Sequence, residues 1–499
     1  MTESASGKGE NVSVNKAVRQ GFLWNLLNFL ISQGAGIAIF LLLSRAVTPA
    51  IYGVFAIAAT IVDLFGFQGR WAAMDALIQR RDYSQRALST AFFSLMVVVV
   101  ALVVISIACA GLMADAFGEA SLRHVLPALA ITLLFTPPII IMDALIMRNL
   151  QFRASAIRSI VGTLFGGAAG LAVAFSPAVE WALVAQRLVT SVVTLAVMFA
   201  FTRWIPQWTF DAASVGGFLR RSLQLWATSI LSSLQTSVVH AAVGFRAGVE
   251  ALGLVIVARR FENLLHGPVT TPIQALWVPV LSVLRSDMGE SWRLFLRLSQ
   301  LTALVALPAF VGLSLVAHEL VVLLLDARYR DADDILVVIA LHGLFIPVGY
   351  FANLVFTGLD RSDLSLKFSL IGIICYIPAI WLASAYGAVA ALWVSFAATG
   401  ALGLVATFVQ IRMFHGRCLE FAKALAPGYS GVAAMVAAVL ALKHFLPIEN
   451  STLSLVSSMA VGGVAYGSWL IVFHRSQVME AWRFFSSSRA GGGLNAAVS

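Results

Sequence analysis

The sequence predicts an all-α integral membrane protein of about fourteen transmembrane helices, on the evidence of composition, hydropathy and charge placement. Of its 499 residues, 60% are hydrophobic and 11% are charged, and the mean hydropathy is +0.90. A soluble domain of this size would need more charge to cover its surface. Apolar runs of about twenty residues recur along the chain, each long enough to cross roughly 30 Å of hydrocarbon. The surplus apolar surface therefore faces lipid.

Charges, glycines and prolines between the apolar runs set the limits of the spans. The eighth run is the least regular, because Arg259, Arg260 and Glu262 interrupt it. The predicted spans are residues 22–44, 50–69, 89–112, 125–147, 156–176, 180–202, 222–245, 250–272, 296–317, 335–357, 366–385, 387–410, 424–446 and 453–473.

The distribution of Lys and Arg predicts the orientation of the spans. With the N-terminus placed in the cytoplasm, most of the 33 Lys and Arg residues fall in cytoplasmic segments, as the positive-inside rule requires. Three lie inside spans: Arg187, Arg259 and Arg260. Six basic residues lie on the opposite side of the membrane: Arg45, Arg123, Arg246, Arg328, Arg330 and Lys443. The bias persists to the end of the chain, so we expect an even number of spans and two cytoplasmic termini.

Several functional classes are disfavoured by the same pattern. The net charge of +9 is spread over short loops and forms no basic face, so no nucleic-acid partner is expected. The cysteines Cys109, Cys375 and Cys418 are scattered, which predicts neither a disulfide nor a metal framework. The loops are short, and a membrane polymerase or ligase usually needs a large outer loop with basic and histidine residues. We therefore expect a protein that is not an enzyme and that uses no cofactor or metal.

Two pairs of segments suggest an internal repeat. Residues 49–53 (Pro-Ala-Ile-Tyr-Gly) resemble residues 249–253 (Val-Glu-Ala-Leu-Gly), and residues 134–137 (Leu-Phe-Thr-Pro) resemble residues 344–347 (Leu-Phe-Ile-Pro). The nearly constant spacing predicts a six-span lobe that occurs twice in parallel orientation, followed by two extra helices. Two six-helix lobes around a central cavity are typical of alternating-access transporters.

This repeat predicts a division of the chain into six segments. They are a cytoplasmic tail at 1–21, an N-lobe at 22–202, a cytoplasmic linker at 203–221, a C-lobe at 222–411, the extra spans at 412–474 and a cytoplasmic tail at 475–499.

Arginines within spans are candidates for substrate binding, because an ionisable group in a bilayer needs a partner or a wet cavity. Arg259 and Arg260 lie near mid-depth, and a guanidinium there could hold a phosphate through its bidentate donors. The alternative is that they pair with Glu262 or with a neighbouring helix. Arg187 could face the lumen or snorkel outward.

The repeat also aligns carboxylates of the first lobe with amides of the second. Asp63 corresponds to Asn263, and Asp143 corresponds to Asn353. We treat Asn263 as a further substrate-binding candidate, and Asp63 and Asp143 as candidates for ion coupling. For Asp143, a local ion pair near Arg148 is the alternative. The lone histidines His240 and His342 are interpreted as packing residues.

Five short strings stand out along the first twelve spans: residues 21–25 (Gly-Phe-Leu-Trp-Asn), 44–53 from Ser-Arg to Tyr-Gly, 76–82 (Ala-Leu-Ile-Gln-Arg-Arg-Asp), 147–153 (Met-Arg-Asn-Leu-Gln-Phe-Arg) and 180–187 (Glu-Trp-Ala-Leu-Val-Ala-Gln-Arg). The chain resembles the Wzx-type polysaccharide flippases in these strings, most strongly in the first lobe. Asp360 departs from the pattern, which more usually has a glycine there, and the second lobe matches it loosely.

The resemblance implies a member of the multidrug/oligosaccharidyl-lipid/polysaccharide exporter superfamily with a cationic cavity. Such a protein moves undecaprenyl-diphosphate-linked oligosaccharide units across the bacterial inner membrane for exopolysaccharide or lipopolysaccharide synthesis. It implies possible coupling to H⁺ or Na⁺ and partners among polysaccharide polymerase and export machinery. The alternative is a drug or cation antiporter of the same superfamily, which Asp63 favours and the in-span arginines oppose.

Overall fold

The computed structural model describes residues 24, 27–65, 84–149, 151–209, 211, 234, 236–283, 288–359 and 361–475. Across these residues every regular element is helical. The N-terminal tail, most of the linker at 203–221, the first half of the predicted seventh span and the C-terminal tail beyond residue 475 lie outside the described residues.

The chain divides into two compact units, Met1–Gly253 and Leu254–Ser499. The helices of the first unit are α1 (Leu27–Ser44), α2 (Pro49–Phe65), α3 (Gln85–Phe117), α4 (Leu122–Ala130), α5 (Thr136–Arg148), α6 (Phe152–Ala174), α7 (Ala182–Thr202) and α8 (236–246).

A long helix, α9 (Val249–Val283), begins in the first unit and continues in the second. The remaining helices of the second unit are α10 (Met288–Leu315), α11 (Ala317–Leu324), α12 (Ala332–Leu341), α13 (Ala352–Gly358), α14 (Ser362–Ala383), α15 (Ala388–Met413), α16 (Cys418–Phe445) and α17 (Ser451–Phe473).

The prediction of a helical multi-pass membrane protein is confirmed, with 11 helical segments long and apolar enough to cross a membrane. Three predicted spans fall outside that set for separate reasons. The helix α2 is apolar but short, α9 carries four charged residues in its first half, and the segment 222–245 is largely outside the described residues. The count of fourteen spans therefore stays a prediction.

The repeat-related fourth and tenth spans share the same backbone break. In the first unit a 3₁₀ turn at Ile131–Phe135 separates α4 from α5. In the second unit a 3₁₀ turn at His342–Phe345 follows α12 and leads into a wider turn at Ile346–Tyr350. A proline follows each 3₁₀ turn closely, and its missing N–H cannot continue the hydrogen-bond ladder. The two segments therefore match in structure where they match in sequence.

The boundary between the two compact units falls after Gly253, inside α9, whereas the predicted boundary between the lobes is the linker 203–221. The start of α9 belongs to the first unit because the two repeat-related hairpins are in close contact. Gly53 abuts the carbonyl of Val249, and Gly253 abuts the carbonyl of Pro49. This reciprocal contact ties the start of α9 to α2 within the first unit. The predicted lobe boundaries remain a prediction.

Three glycines bring α6 and α7 close together. Gly162, Gly166 and Gly170 are spaced by four residues and so lie along one side of α6. A Cβ at Gly166 would lie 2.8 Å from the carbonyl oxygen of Gln186, so a larger residue would force the helices apart. Small residues of this spacing allow close packing of transmembrane helices. The contact fixes α7, which carries Arg187, against its neighbour.

The second unit has an aromatic core onto which the extra helices pack. Trp292 and Phe295 stack at 5.6 Å between ring centroids, and Phe295 also stacks on Phe421 of α16 at 5.5 Å. The hydroxyl of Tyr429 donates to the Leu344 carbonyl at 2.6 Å, and that of Tyr466 donates to the Leu304 carbonyl at 2.9 Å. Hydrogen bonds of this kind satisfy polar groups in an apolar setting. They anchor α16 and α17 to the second unit.

Candidate functional site

Two of the predicted site residues, Asp63 and Arg187, form an ion pair with each other in the first unit. The guanidinium of Arg187 donates from Nη1 to Oδ2 of Asp63 at 3.2 Å and from Nη2 to Oδ1. The side chain of Asp63 is 44% exposed and that of Arg187 is 27% exposed. The pair joins α2 to α7 and is open enough for a solute to reach it.

Asp143 lies in a different environment. It is 2% exposed, and Nη1 of Arg158 donates to both of its carboxylate oxygens at 2.6 and 2.7 Å. The guanidinium of Arg158, on α6, thus lies against the carboxylate, and a further pair with Arg148 stays a prediction. A buried and paired carboxylate at the join of α5 and α6 is better suited to holding helices together than to exchanging an ion.

A polar stripe runs along α9 in the second unit. Its members recur at intervals of three or four residues, so they share one side of the helix: Arg259, Glu262, His266, Thr270 and Gln274. Fifteen steps of 1.5 Å from Arg259 to Gln274 span about 22 Å along the helix axis. A polar stripe this long inside a membrane protein requires partners along its whole length.

Arg259 opens the stripe ten residues after the start of α9, about 15 Å along the helix axis. It is half-buried, and its Nε–H is buried and donates to no acceptor among the described residues. The charge of Arg259 acts on Glu262 of the same helix and on His342 and Tyr376 of neighbouring segments. Arg259 therefore keeps one N–H donor that no described acceptor uses.

Arg260 and Asn263 lie on a second side of α9, and both are exposed. Thr271 continues that side two turns further along and is also exposed. An exposed side of a membrane helix that carries an arginine, an amide and a hydroxyl is expected to meet water, because lipid contact would leave these groups unsatisfied. The predicted counterpart of Asp143, Asn353, is exposed and accepts a hydrogen bond from Ser365 Oγ at 3.0 Å.

His342 is part of a buried hydrogen-bond chain. Its Nδ1 lies 2.9 Å from the Val338 carbonyl oxygen and must carry the proton to donate there. Its Nε2 then accepts from Ser395 Oγ at 3.2 Å, and Ser395 accepts in turn from the Tyr376 hydroxyl at 2.5 Å. The chain links three separate helical segments beside Arg259. It holds the His342 ring in one orientation.

The broken tenth span brings further polar groups to α9. The backbone there leaves helical geometry at Val348 and Gly349, where Gly349 has a φ of +86° and lies against Gly403 of α15. This break turns the Tyr350 ring toward α9, where it meets His266 edge-on at 5.4 Å and accepts a hydrogen bond from Gln274 Nε2 at 3.3 Å. Tyr350 of the broken segment therefore contacts His266 and Gln274, which lie in the C-terminal part of the stripe.

The structure brings the sequence-predicted residues together in two separate groups. Asp63 and Arg187 pair in the first unit, and Arg259, Arg260 and Asn263 cluster on α9. Sequence reasoning missed the His342–Ser395–Tyr376 chain, because its members are 19 and 53 residues apart and no pattern links them. His240 likewise lies 3.1 Å from Thr60 Oγ1, consistent with a packing role.

Comparison with known proteins gives one family and one fold. Residues 42–334, more than half of the chain, match the model of the family described as polysaccharide biosynthesis protein. The chain is 21% identical over 476 residues to the succinoglycan biosynthesis transport protein ExoT of Rhizobium meliloti, covering 92% of this chain and 94% of that protein. It is 21% identical over 371 residues to the lipopolysaccharide biosynthesis protein WzxC of Escherichia coli, covering 74% and 75%.

Solved structures show the same fold. The lipid II flippase MurJ in an inward closed conformation superposes with a TM-score of 0.75 at 15% identity, covering 92% of this chain and 100% of that one. A MATE transporter of Vibrio cholerae superposes with a TM-score of 0.55 at 14% identity, covering 82% and 100%. At sequence identities this low, the similarity to these structures shows the fold alone.

Proposed function

Because this chain belongs to the polysaccharide biosynthesis protein family, we propose that it is a flippase for lipid-linked oligosaccharides. It moves undecaprenyl-diphosphate-linked repeat units from the cytoplasmic to the outer leaflet of a bacterial inner membrane, for exopolysaccharide or lipopolysaccharide synthesis. The relatives it matches over most of their length are named for biosynthesis and transport of such polymers. A drug antiporter of the same fold is not favoured by these relatives.

The observation that carries the proposal is the pair of arginines, Arg259 and Arg260, about three turns into α9. The substrate has a diphosphate head, which carries negative charge through the membrane interior. A guanidinium holds phosphate oxygens with two parallel hydrogen bonds, and such charge-assisted bonds are strongest where water is scarce. Arg259 has a buried Nε–H with no acceptor among the described residues, and Arg260 with Asn263 lies on the exposed polar side.

The two arginines take different parts in this proposal. Arg260, with Asn263 one turn further along α9, contacts the diphosphate and the first sugar directly. Arg259 lies behind it and adds positive potential, and its charge is felt by the Glu262 carboxylate on the same helix. The glycan passes along the wet side of α9, and the polyprenyl chain stays in lipid.

Arg187 and Asp63 serve the same cycle in the first unit. Since the pair is partly exposed, a diphosphate can compete with Asp63 for the guanidinium. When the phosphate takes Arg187, the Asp63 carboxylate loses its counter-charge and takes up H⁺ or Na⁺ instead. This exchange couples the ion to the substrate, and we assign the coupling role to Asp63 rather than to the buried Asp143.

The remaining features of the proposal concern topology and partners. Alternating access moves the site between the two faces of the membrane, with both termini in the cytoplasm. Polysaccharide polymerase and export proteins receive the flipped unit. Fusing a reporter that fluoresces in the cytoplasm to residue 499 and to loop residue 120 tests the orientation: the first fusion is bright and the second dark.

Polysaccharide export in cells tests the role of the arginines. The variants R259A and R260A are compared with R123A, since Arg123 is exposed and pairs with Asp115 outside the spans. At matched protein levels we expect R260A to lower export about tenfold or more, as loss of a charge-assisted bond implies. R123A exports normally. Full export by both R259A and R260A contradicts the phosphate site.

A further inference from the structure

A tyrosine at the end of the broken tenth span has an exposed ring. Tyr350 closes the turn Ile346–Tyr350 and is 41% exposed. Backbone that leaves helical geometry at membrane depth is tolerated only inside protein or beside water, so the exposed side of this break lines water. At the matching position of the first unit, 210 residues earlier, Ile140 is 2% exposed. The exposure of Tyr350 is therefore particular to the second unit.

The contacts of the Tyr350 ring hold it in place without covering it. The His266 ring of α9 lies 5.4 Å away at an interplanar angle of 70°, and the Phe351 ring lies 4.9 Å away at 88°. Both neighbours meet the ring at a steep angle, so no aromatic ring of the described residues stacks flat on it. Its hydroxyl accepts a hydrogen bond from Gln274 Nε2 at 3.3 Å, which ties the ring to α9. Part of a fixed aromatic surface therefore remains open.

Two uncharged polar side chains of α9 lie at the same end of the stripe as this ring. Gln274 is half-exposed, and Thr271, three residues earlier, is exposed. A carboxamide offers two N–H donors and an acceptor oxygen, and the bond to Tyr350 uses one of those donors. Residues three apart are neighbours on a helix surface. An amide and a hydroxyl are thus available beside the open part of the ring.

An aromatic surface beside an amide and a hydroxyl suits a neutral ligand that has one apolar face and several hydroxyls. The C–H bonds on one face of a pyranose ring pack on the negative face of an aromatic ring, and its hydroxyls exchange hydrogen bonds with amides. An anion is disfavoured, because none of these side chains is an arginine or a lysine. A cation is attracted to an aromatic face, but the carboxylate of the stripe, Glu262, already lies under the charge of Arg259.

We propose that Tyr350 and Gln274 form a subsite for one sugar ring of the glycan, separate from the proposed diphosphate site at Arg260. The Tyr350 ring stacks on the C–H face of the sugar, and the Gln274 carboxamide bonds its hydroxyls. Fourteen steps of 1.5 Å from Arg260 to Gln274 span about 21 Å along α9, so the subsite contacts a sugar several units away from the diphosphate. The choice of a sugar over other polyols rests on the proposed function.

Saturation-transfer NMR tests the subsite on the purified full-length protein in detergent micelles. The probes are the methyl glycosides of glucose, galactose, mannose and N-acetylglucosamine, each titrated separately. We expect transfer to at least one of them, strongest at the ring C–H protons of one face. Y350L and Q274A should each lower the affinity by about fivefold or more, as loss of an aromatic contact or a hydrogen bond implies. The matched control is Y386L, which changes a tyrosine that is 86% exposed in the turn after α14 and keeps wild-type affinity.

A conservative variant separates loss of the subsite from loss of folding. Y350F keeps the ring and removes the hydroxyl, so its affinity should stay closer to wild type than that of Y350L. No transfer to any of the four glycosides overturns the proposal, and so does transfer of equal size in wild type, Y350L and Q274A. Displacement of the bound glycoside by an equal concentration of choline assigns the ring to a cation and overturns it as well. Binding is measured without transport, so full export by R259A and R260A counts against the diphosphate site and leaves the glycoside result standing.

Discussion

Arg187 and Asp63 form a two-pronged ion pair that joins α7 to α2 across 124 positions of the sequence. Each is the counter-charge of the other within the membrane, where an unpaired charge is costly. The pair explains how a carboxylate and a guanidinium are retained inside apolar spans. It also makes the two residues a unit, so they are best tested together.

The first prediction concerns this pair. We expect D63N and R187Q to unfold at lower temperature than wild type, and the double variant to recover part of the loss. Because Asp63 is 44% exposed, solvent screens the interaction and the coupling energy is about 0.5–1 kcal/mol. Thermal unfolding in detergent measures it.

Measuring polysaccharide export in the same variants distinguishes a coupling role of the Asp63–Arg187 pair from a purely structural one. If the pair exchanges substrate and ion as proposed, the double variant recovers stability but still fails to export. Recovery of export together with stability would assign the pair to structure alone.

The second prediction concerns the buried pair of Asp143 and Arg158. Replacing Asp143 by Asn leaves a guanidinium that is 17% exposed without its counter-charge, and breaking a buried pair costs about 3–5 kcal/mol. We expect D143N to lower the amount of folded protein in the membrane, measured by detergent-solubilised yield. D115N removes an exposed partner of Arg123 and serves as the control, with yield unchanged. Equal yields from the two variants would contradict the structural role of Asp143.

The third prediction concerns the reciprocal contact of the repeat-related hairpins. An alanine at Gly53 overlaps the Val249 carbonyl, and an alanine at Gly253 overlaps the Pro49 carbonyl. Overpacking of this kind costs about 1–3 kcal/mol, so both variants should unfold at lower temperature by similar amounts. G111A is the control, because nothing lies within 4 Å of a Cβ at Gly111. Unequal effects at the two sites would show that the contact is not reciprocal in solution.

The fourth prediction concerns the pH dependence of the contact between α11 and α16, where Lys443 Nζ lies 2.8 Å from Glu319 Oε1. The folded-state pKa of Glu319 lies below its usual value, so its stabilising effect is full above the unfolded-state pKa of about 4.3. That effect is lost as the pH falls through the folded value. Hydrogen exchange at α11 and at residues 446–450 should therefore accelerate between about pH 5 and pH 3 in wild type. E319Q lacks the charge and should show little change over that range.

Much of the fold could be predicted from the sequence because lipid imposes simple rules. Apolar runs of fixed length had to be helices. The predicted limits differ most at α9, which ends at Val283 rather than at residue 272, and at α10, which begins at Met288 rather than at residue 296. The two four-residue strings Leu-Phe-Thr-Pro (134–137) and Leu-Phe-Ile-Pro (344–347) mark the two 3₁₀ breaks, because proline interrupts the helical hydrogen-bond ladder wherever it occurs.

The candidate site could be predicted only in part, because partners far apart in sequence leave no local mark. Arg187 and Asp63 were each singled out, but nothing in the sequence paired them. The position of Arg259 and Arg260 along the eighth span could be predicted by counting residues from the start of that span. The His342–Ser395–Tyr376 chain could not be predicted, because it forms only where three helical segments meet. The ion pair of Glu319 with Lys443 was missed altogether, since the two residues lie more than a hundred positions apart in the sequence.

Translocation of an undecaprenyl-diphosphate-linked oligosaccharide in proteoliposomes tests the central claim most directly. The lipid is placed in one leaflet, and its arrival in the other is followed with a glycan-modifying enzyme that cannot cross the membrane. We predict that the wild-type protein transfers the lipid and that R259Q/R260Q transfers it at least tenfold more slowly at equal protein content. Transfer by the double variant at the wild-type rate would contradict a diphosphate site on α9.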